Sequence, residues 1–255
     1  MYLEQMRLTD RIAVVTGAGR GIGLEIARAL GEAGAAVIIV DINETTGREA
    51  AEALNQSGIK AEFLQLDVTN SSEVQRVAAA IMANHGRVDV LVNNAGYADH
   101  PNALECSDEI YYRLMRVNLD GVFFCCREFG RYMTAAGRGA VVNIGSMSGL
   151  IVNKPQPQAH YNTSKAGVHM LTKSLACEWA QMGVRVNAVA PGLVSNEASR
   201  QLNPDAYLAQ AARGRAIDRE MAPDDLVGAV LFLASPGSDF MSGQTLVVDG
   251  GAIMS

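Results

Sequence analysis

The stretch VVTGAGRGIG, residues 14–23, decides how the rest of the chain is read. An apolar, β-branched run gives way to glycines and then to GIGLEIARALGEAG (21–34), where Ile22, Ile26, Ala29 and Leu30 fall on one stripe at helical spacing. The stretch predicts a strand, a tight turn and a helix. Gly17, Gly21 and Gly23 allow the turn, let a pyrophosphate approach the backbone, and leave amide N–H groups free at a helix N-terminus, with Arg20 and Ile22 beside them. The spacing is T-G-x-x-x-G-x-G from Thr16, because Ile22 and Leu24 stand where a third glycine of G-x-G-x-x-G would fall. Asp41 closes the next apolar run, 18 residues beyond Gly23, where a carboxylate accepts hydrogen bonds from an adenosine ribose. It also repels a 2′-phosphate, so NAD is favoured over NADP; Arg20 is the opposing signal, since a guanidinium pairs with such a phosphate. A glycine-rich first turn also suits S-adenosylmethionine-dependent methyltransferases, which usually carry an acidic residue two positions before the first glycine. Here that position is Val15.

The same rhythm extends along the chain. Apolar runs at 12–17, 35–41, 61–67, 88–96, 139–146, 183–192 and 245–251 read as strands, with helical patterns between most of them. Continuously apolar strands fit a parallel sheet covered on both faces, and the alternation fits a doubly wound α/β fold with right-handed crossovers. No repeat or linker divides residues 1–255, which are read as a single domain. Residues 193–222 lack a clear rhythm; they follow the sixth strand, where ligands bind in such sheets, and read as a substrate lid. A formal charge of −6 offers no basic surface to nucleic acid or an anionic membrane. No apolar run approaches the ~20 residues that span a bilayer. MYLEQMRLTDR at the start mixes both signs of charge and does not read as a secretory signal. Cys106, Cys125, Cys126 and Cys177 lack CxxC spacing and read as reduced, mostly buried thiols of a cytoplasmic protein. No His/Cys cluster at ligand spacing points to a metal.

YNTSK (161–165) opens an amphipathic pattern over 161–182, and its spacing of four puts Tyr161 and Lys165 one turn apart on the same helix face. A tyrosine at its reference pKa of ~10 is a poor base near neutrality. A nearby ammonium, joined by the positive charge of a nicotinamide, stabilises the phenolate. Such a pair beside a dinucleotide suits proton transfer to or from an alcohol oxygen.

Taken together, TGAGRGIG, Asp67–Val68, NNAG (93–96), Asn118, a serine-bearing strand, YNTSK and PG (191–192) resemble, in order, the short-chain dehydrogenase/reductase family over residues 8–251. The resemblance implies a Rossmann-type domain of seven parallel strands, a homotetramer or homodimer, and hydride exchange with nicotinamide C4. It implies that Tyr161 is the general acid/base, that Lys165 lowers its pKa while holding the ribose hydroxyls, and that Asn118 holds a water linking Lys165 to solvent. Asp67 and Val68 would border the adenine, Asn94, Ala95 and Gly96 the ribose, and Pro191, Gly192 and Val194 the nicotinamide. Asn196 stands where the family commonly has Thr, and Ser242 replaces a common Thr before GQ. Of Ser146 and Ser148, the 13-residue spacing to Tyr161 would choose Ser148. The end of the strand and the glycine three residues later choose Ser146 as the catalytic hydroxyl, with Ser148 a loop-stabilising group on the substrate side.

The loop GLIVNKPQPQAHYN (149–162) resembles that of short-chain polyol dehydrogenases. Asn153, Gln156, Gln158 and His160 supply donors and acceptors near Tyr161, and His100 and Tyr97 border the same place. A site built to bind hydroxyls rejects analogues that lack them. Arg200, Arg213, Arg215 and Arg219 in the lid segment are read as surface ion-pair partners, with contact to an anionic substrate as the alternative. His85 and His169 read as surface or satisfied core groups. The function expected is an NAD-dependent oxidation of a polyol to a ketose. Rival readings are a 3-oxoacyl-thioester reductase, a cyclic-alcohol or hydroxysteroid dehydrogenase and, from another class, a dinucleotide-binding regulator without catalysis.

Overall fold

In the computed structural model, which describes residues 1–152, 156–195 and 216–254, seven strands form one parallel sheet in the order β3-β2-β1-β4-β5-β6-β7. They are β1 (Ile12–Thr16), β2 (Ala36–Asp41), β3 (Ala61–Gln65), β4 (Val90–Asn93), β5 (Gly139–Ile144), β6 (Val184–Pro191) and β7 (Thr245–Val248). The described helices are α1 (Gly21–Glu32), α2 (Glu44–Gln56), α3 (Ser71–His85), α4 (Asp108–Met115), α5 (Gly121–Ala135), α6 (Ala159–Trp179) and α7 (Asp224–Ala234). This is the doubly wound Rossmann-type fold expected from the alternation.

The sheet is covered on both faces because its side chains alternate. Val15, Val37, Ile39 and Val92 enter one core with Ile26, Leu30, Leu54 and Val230 from α1, α2 and α7. Val14, Ile38, Val40 and Leu91 enter the other with Ile81, Phe129 and Leu175 from α3, α5 and α6. The winding reverses between β1 and β4, and a crevice opens at the carboxyl ends of the strands there. Most of the predicted strands overran their carboxyl ends. The run 88–96, for example, continues apolar and small past Asn93, but its last residues leave the sheet to line the crevice. α6 begins two residues before Tyr161 and ends in a 3-10 turn over Ala180–Met182.

At the amino ends of the strands, opposite the crevice, Asp89 fastens β1 to β4. Its Oδ2 accepts from the N–H of Ile12 at 3.0 Å, and its own N–H donates to the Ile12 carbonyl at 2.9 Å. Arg87 and Arg11 donate to Oδ1 at 2.6 and 3.1 Å. All four cysteines are free; Cys125 and Cys126 are buried, while Cys106 is half-buried and Cys177 exposed, so burial is less general than expected. Among the described residues no helix is long and apolar enough to cross a membrane.

Burial alone would raise the pKa of Asp89, but the bonds from Arg87, the Ile12 N–H and Arg11 hold it below the ordinary carboxylate range. Its folded pKa is therefore depressed. The stabilisation is complete above the unfolded value of ~3.9 and is lost as pH falls through the folded value. Asp89→Asn is expected to lower unfolding stability by about 2 kcal/mol at neutral pH, with the gap to wild type closing in acid. Urea titrations at neutral and acidic pH measure both.

Candidate active site

The crevice is a cleft of about 960 Å³ running from the glycine turn after β1 to Tyr161 on α6. Gly17 and Gly21 adopt φ of 63° and 60°, a region open mainly to glycine. A Cβ on Gly23 would lie 2.3 Å from the Gly17 carbonyl oxygen, so the turn closes only without a side chain there. Around Gly21, by contrast, the space that a Cβ would take is open. The backbone at the start of α1 thus forms a cradle accessible to a pyrophosphate, and the residues fit a dinucleotide. Arg20 is exposed at its rim.

Two contacts fix this turn. Asp41, at the end of β2, accepts from the Gly19 N–H at 2.9 Å and the Asn43 N–H at 3.0 Å. Thr16, at the end of β1, accepts from the N–H groups of Asn94 and Ala95, each at 3.0 Å. The Asn94 amide donates back to the carbonyls of Thr16 and Gly17, each at 2.9 Å. In sequence Thr16 only marks the spacing of the glycine turn, because its partners lie nearly 80 positions away. Asn94, Ala95 and Gly96 line the cleft as expected, with Ile22, Asp67, Val68, Pro191, Gly192 and Val194. The Asp67 carboxylate is turned to its own loop, where Thr69 donates to it from both N–H and hydroxyl.

At the other end of the cleft, Ser146, Ser148, Tyr161 and Lys165 come together. The Ser146 hydroxyl accepts from the Ser148 N–H at 3.1 Å and lies beside the Tyr161 phenol, whose ionisation it favours. With its acceptor side occupied by an N–H, its own proton is free for a ligand oxygen or the phenol. Ser148 is buried and accepts from Gln158 Nε2 at 3.2 Å, which ties the loop to the start of α6. Lys165 is buried, donates to the Ile144 carbonyl at 2.9 Å, and lies 5.9 Å from the centre of the Tyr161 ring. Burial lowers its pKa to about 8. Burial also pushes the Tyr161 phenol up, with the neighbouring Ser146 hydroxyl pulling the other way.

Other expectations shift in detail. Asn118 sits on a π-helical turn (Arg116–Asp120) and is buried, but it does not line the cleft. Its side chain pairs with the backbone of Tyr97, accepting at 3.0 Å and donating at 2.9 Å, and also donates to Ser164 at 3.4 Å. His169 is a satisfied core group, donating to the Ser146 carbonyl at 2.9 Å and accepting from Thr245 at 3.3 Å, so it holds the Ser146 backbone. It continues the stripe of Tyr161 and Lys165 by one more turn, the signal by which its placement was legible. Gln156, Gln158, Tyr97 and His100 line the cleft; His160 faces Asp99 instead, at 2.5 Å. Asn153, Asn196, Arg200, Arg213 and Arg215 lie outside the described residues. So does most of the expected lid, whose described ends meet where Val194 bridges Met221. Arg219 forms a two-pronged pair with Asp225 at 2.6 Å, as a surface partner would.

The family model described as Enoyl-(Acyl carrier protein) reductase matches residues 17–252. The chain is 44% identical over 257 residues to a galactitol 2-dehydrogenase of Rhizobium johnstonii, covering 98% of each. It is 43% identical over 255 residues to a galactitol 2-dehydrogenase (L-tagatose-forming) of Cereibacter sphaeroides, again covering 98% of each. Among solved structures, a gluconate 5-dehydrogenase from Burkholderia cenocepacia J2315 in complex with NADP and tartrate superposes with a TM-score of 0.95 at 38% identity, over the whole of both chains. The chain belongs to the short-chain dehydrogenase/reductase family. It is an oxidoreductase of the alcohol dehydrogenase/ketoreductase kind that uses a nicotinamide dinucleotide.

Replacing Thr16 by Val leaves the Asn94 and Ala95 N–H groups without an acceptor. Thr16→Val is expected to cost about 2 kcal/mol of stability and to weaken NADH binding, read by denaturant titration and by NADH fluorescence.

Proposed function

We propose that the enzyme oxidises a polyol at a secondary hydroxyl to a ketose, with NAD as the preferred cofactor. The observation that carries the chemistry is the meeting of Ser146, Tyr161 and buried Lys165 at the end of a dinucleotide cleft. A bound oxidised nicotinamide supplies the acceptor for the hydride that leaves the alcohol carbon. Tyr161 takes the hydroxyl proton, and Ser146 donates to the substrate oxygen as its charge changes. Lys165 keeps a positive charge near the phenolate while the Ile144 carbonyl holds one of its protons. Asn118 acts at a distance, by fixing the backbone of Tyr97 and, through Ser164, the first turn of α6.

The polyol reading draws on the polar groups at this end of the cleft, Ser148, Gln156, Gln158 and His100, and on the two galactitol 2-dehydrogenase relatives. Asp41 supports NAD. Its carboxylate is held by two backbone N–H groups, so it cannot easily turn away from a 2′-phosphate, and exposed Arg20 is the group left to welcome one. The solved relative with NADP makes cofactor choice a measurement of its own. kcat/KM with NAD+ is expected to exceed that with NADP+, and Asp41→Asn to narrow the ratio; a wild-type preference for NADP+ would overturn this part. The four free thiols suit the cytoplasm, and exposed Phe123, Phe240 and Val247 suit assembly into a homodimer or homotetramer.

Tyr161→Phe is expected to reduce turnover about 10³-fold with NADH binding retained. Ser146→Ala should cost about 10²-fold, clearly more than Ser148→Ala. Retained turnover in the first variant, or the reverse order in the serines, contradicts the assignment. Oxidation needs the phenolate, and burial holds the phenol pKa up. The oxidation rate should therefore rise from neutral to alkaline pH and the reduction rate should not, as steady-state profiles in both directions will show. The slope belongs to Tyr161 and Lys165 together, since Lys165 loses its proton at about 8.

A further inference from the structure

Three of the four histidines have at least one ring nitrogen engaged by protein. His85 Nε2 meets Glu62 at 3.0 Å, His160 Nε2 meets Asp99 at 2.5 Å, and His169 uses both nitrogens. His100 differs. Its Nδ1 is buried with no hydrogen-bond partner, and no bond to its ring is made among the described residues, yet the residue lines the same cleft as Tyr161. A buried polar nitrogen without a partner costs stability, and such sites call for an explanation in function.

The loop that carries His100 is pinned from several sides. Asn118 holds the Tyr97 backbone, and Arg113 donates to the Tyr97 hydroxyl at 2.9 Å. Asp99, the neighbour of His100, pairs with His160 and, at 3.6 Å, with Arg113. His160 immediately precedes Tyr161, so the same contact ties the loop to the first turn of α6. The backbone at 99–100 cannot shift without breaking one of these bonds, and the imidazole is held beside the reacting end of the cleft.

We propose that His100 is a specificity-determining residue: its Nε2 hydrogen-bonds a substrate hydroxyl remote from the carbon being oxidised, and it thereby selects polyols over alcohols with a single hydroxyl. The proposal rests on the polyol reading above. With Nδ1 shut inside the protein, Nε2 is the nitrogen left for a ligand. In a neutral ring that nitrogen donates or accepts according to tautomer, and a hydroxyl answers either way, whereas a carboxylate can only accept. Burial lowers the pKa of His100, Asp99 opposing and His160 reinforcing the shift, so the ring is neutral at neutral pH. An uncharged imidazole suits an uncharged polyol better than a sugar acid. Gln156 and Gln158 line the same cleft and add amide groups for further hydroxyls.

The test compares kcat/KM for galactitol and for cyclohexanol in wild type, His100→Leu and His100→Gln, with NADH binding followed in each to show that the variant is folded. The ratio of galactitol to cyclohexanol kcat/KM is expected to fall about 10- to 100-fold in His100→Leu, the effect of leaving a substrate hydroxyl unpaired, and to recover in part in His100→Gln. A wild type that oxidises galactitol, with an unchanged ratio in His100→Leu, overturns this inference alone. A fall of equal size for both substrates also overturns it, since that is the mark of a structural role. A wild type that oxidises cyclohexanol and no polyol removes the substrate reading and this inference with it.

Discussion

Two backbone N–H groups sharing one hydroxyl hold the site together. Asn94 and Ala95 both donate to Thr16, and the Asn94 amide returns two bonds to the carbonyls of Thr16 and Gly17. The junction lies where the winding of the sheet reverses, between β1 and β4, so the chain leaves these two strands in opposite directions and a crevice must open. Such a crevice exposes the ends of two strands whose polar groups have no ladder partner. Thr16 and Asn94 satisfy them from within the protein, which leaves the N–H groups at the start of α1 for a ligand. Each bond contributes about 1 kcal/mol net, but any one N–H left unpaired there costs about 1–3 kcal/mol. The glycine cradle therefore has a fixed distance to β4, and a dinucleotide laid across it meets a preformed surface.

The other half of the site is a helix read along one face. Tyr161, Lys165 and His169 are spaced by four on α6, and each faces the end of β5. Lys165 donates to the Ile144 carbonyl and His169 to the Ser146 carbonyl, so the helix grips the backbone on either side of Gly145. Ser146 is thereby held with its hydroxyl toward Tyr161. Hydride and proton must leave one carbon and its oxygen together, and the fold brings the two acceptors side by side. One is reached through the junction of β1 and β4, the other through the packing of α6 on β5.

Much of this was legible in the sequence because it depends on local spacing. The apolar runs gave seven strands, the glycines gave the turn, and the interval of four gave Tyr161 and Lys165 a common face. What escaped depends on partners far along the chain. The predicted strands ran too far because Asn94–Gly96 and Gly145–Ser146 continue the small or apolar character of the strand, and only the sheet register shows where pairing stops. Thr16 meets partners nearly 80 residues away, and no local pattern announces such a bond. The burial of the Tyr161–Lys165 pair is another feature that spacing does not show. Spacing brings Lys165 near the phenol, but it does not disclose how deeply both groups are buried, and burial opposes the charge on each. His160 and His100 illustrate the same limit: the sequence puts both near the substrate, while the fold gives one to Asp99 and the other to the cleft.

The central claim is that this arrangement oxidises a polyol with NAD+. The most direct measurement is the growth of nicotinamide absorbance when the purified protein and NAD+ are offered a panel of four- to six-carbon polyols. Turnover is expected for a subset that shares a configuration at the oxidised carbon, galactitol among the first to try. No turnover of any polyol, together with intact NADH binding and reduction of a 3-oxoacyl thioester by NADPH, would contradict it.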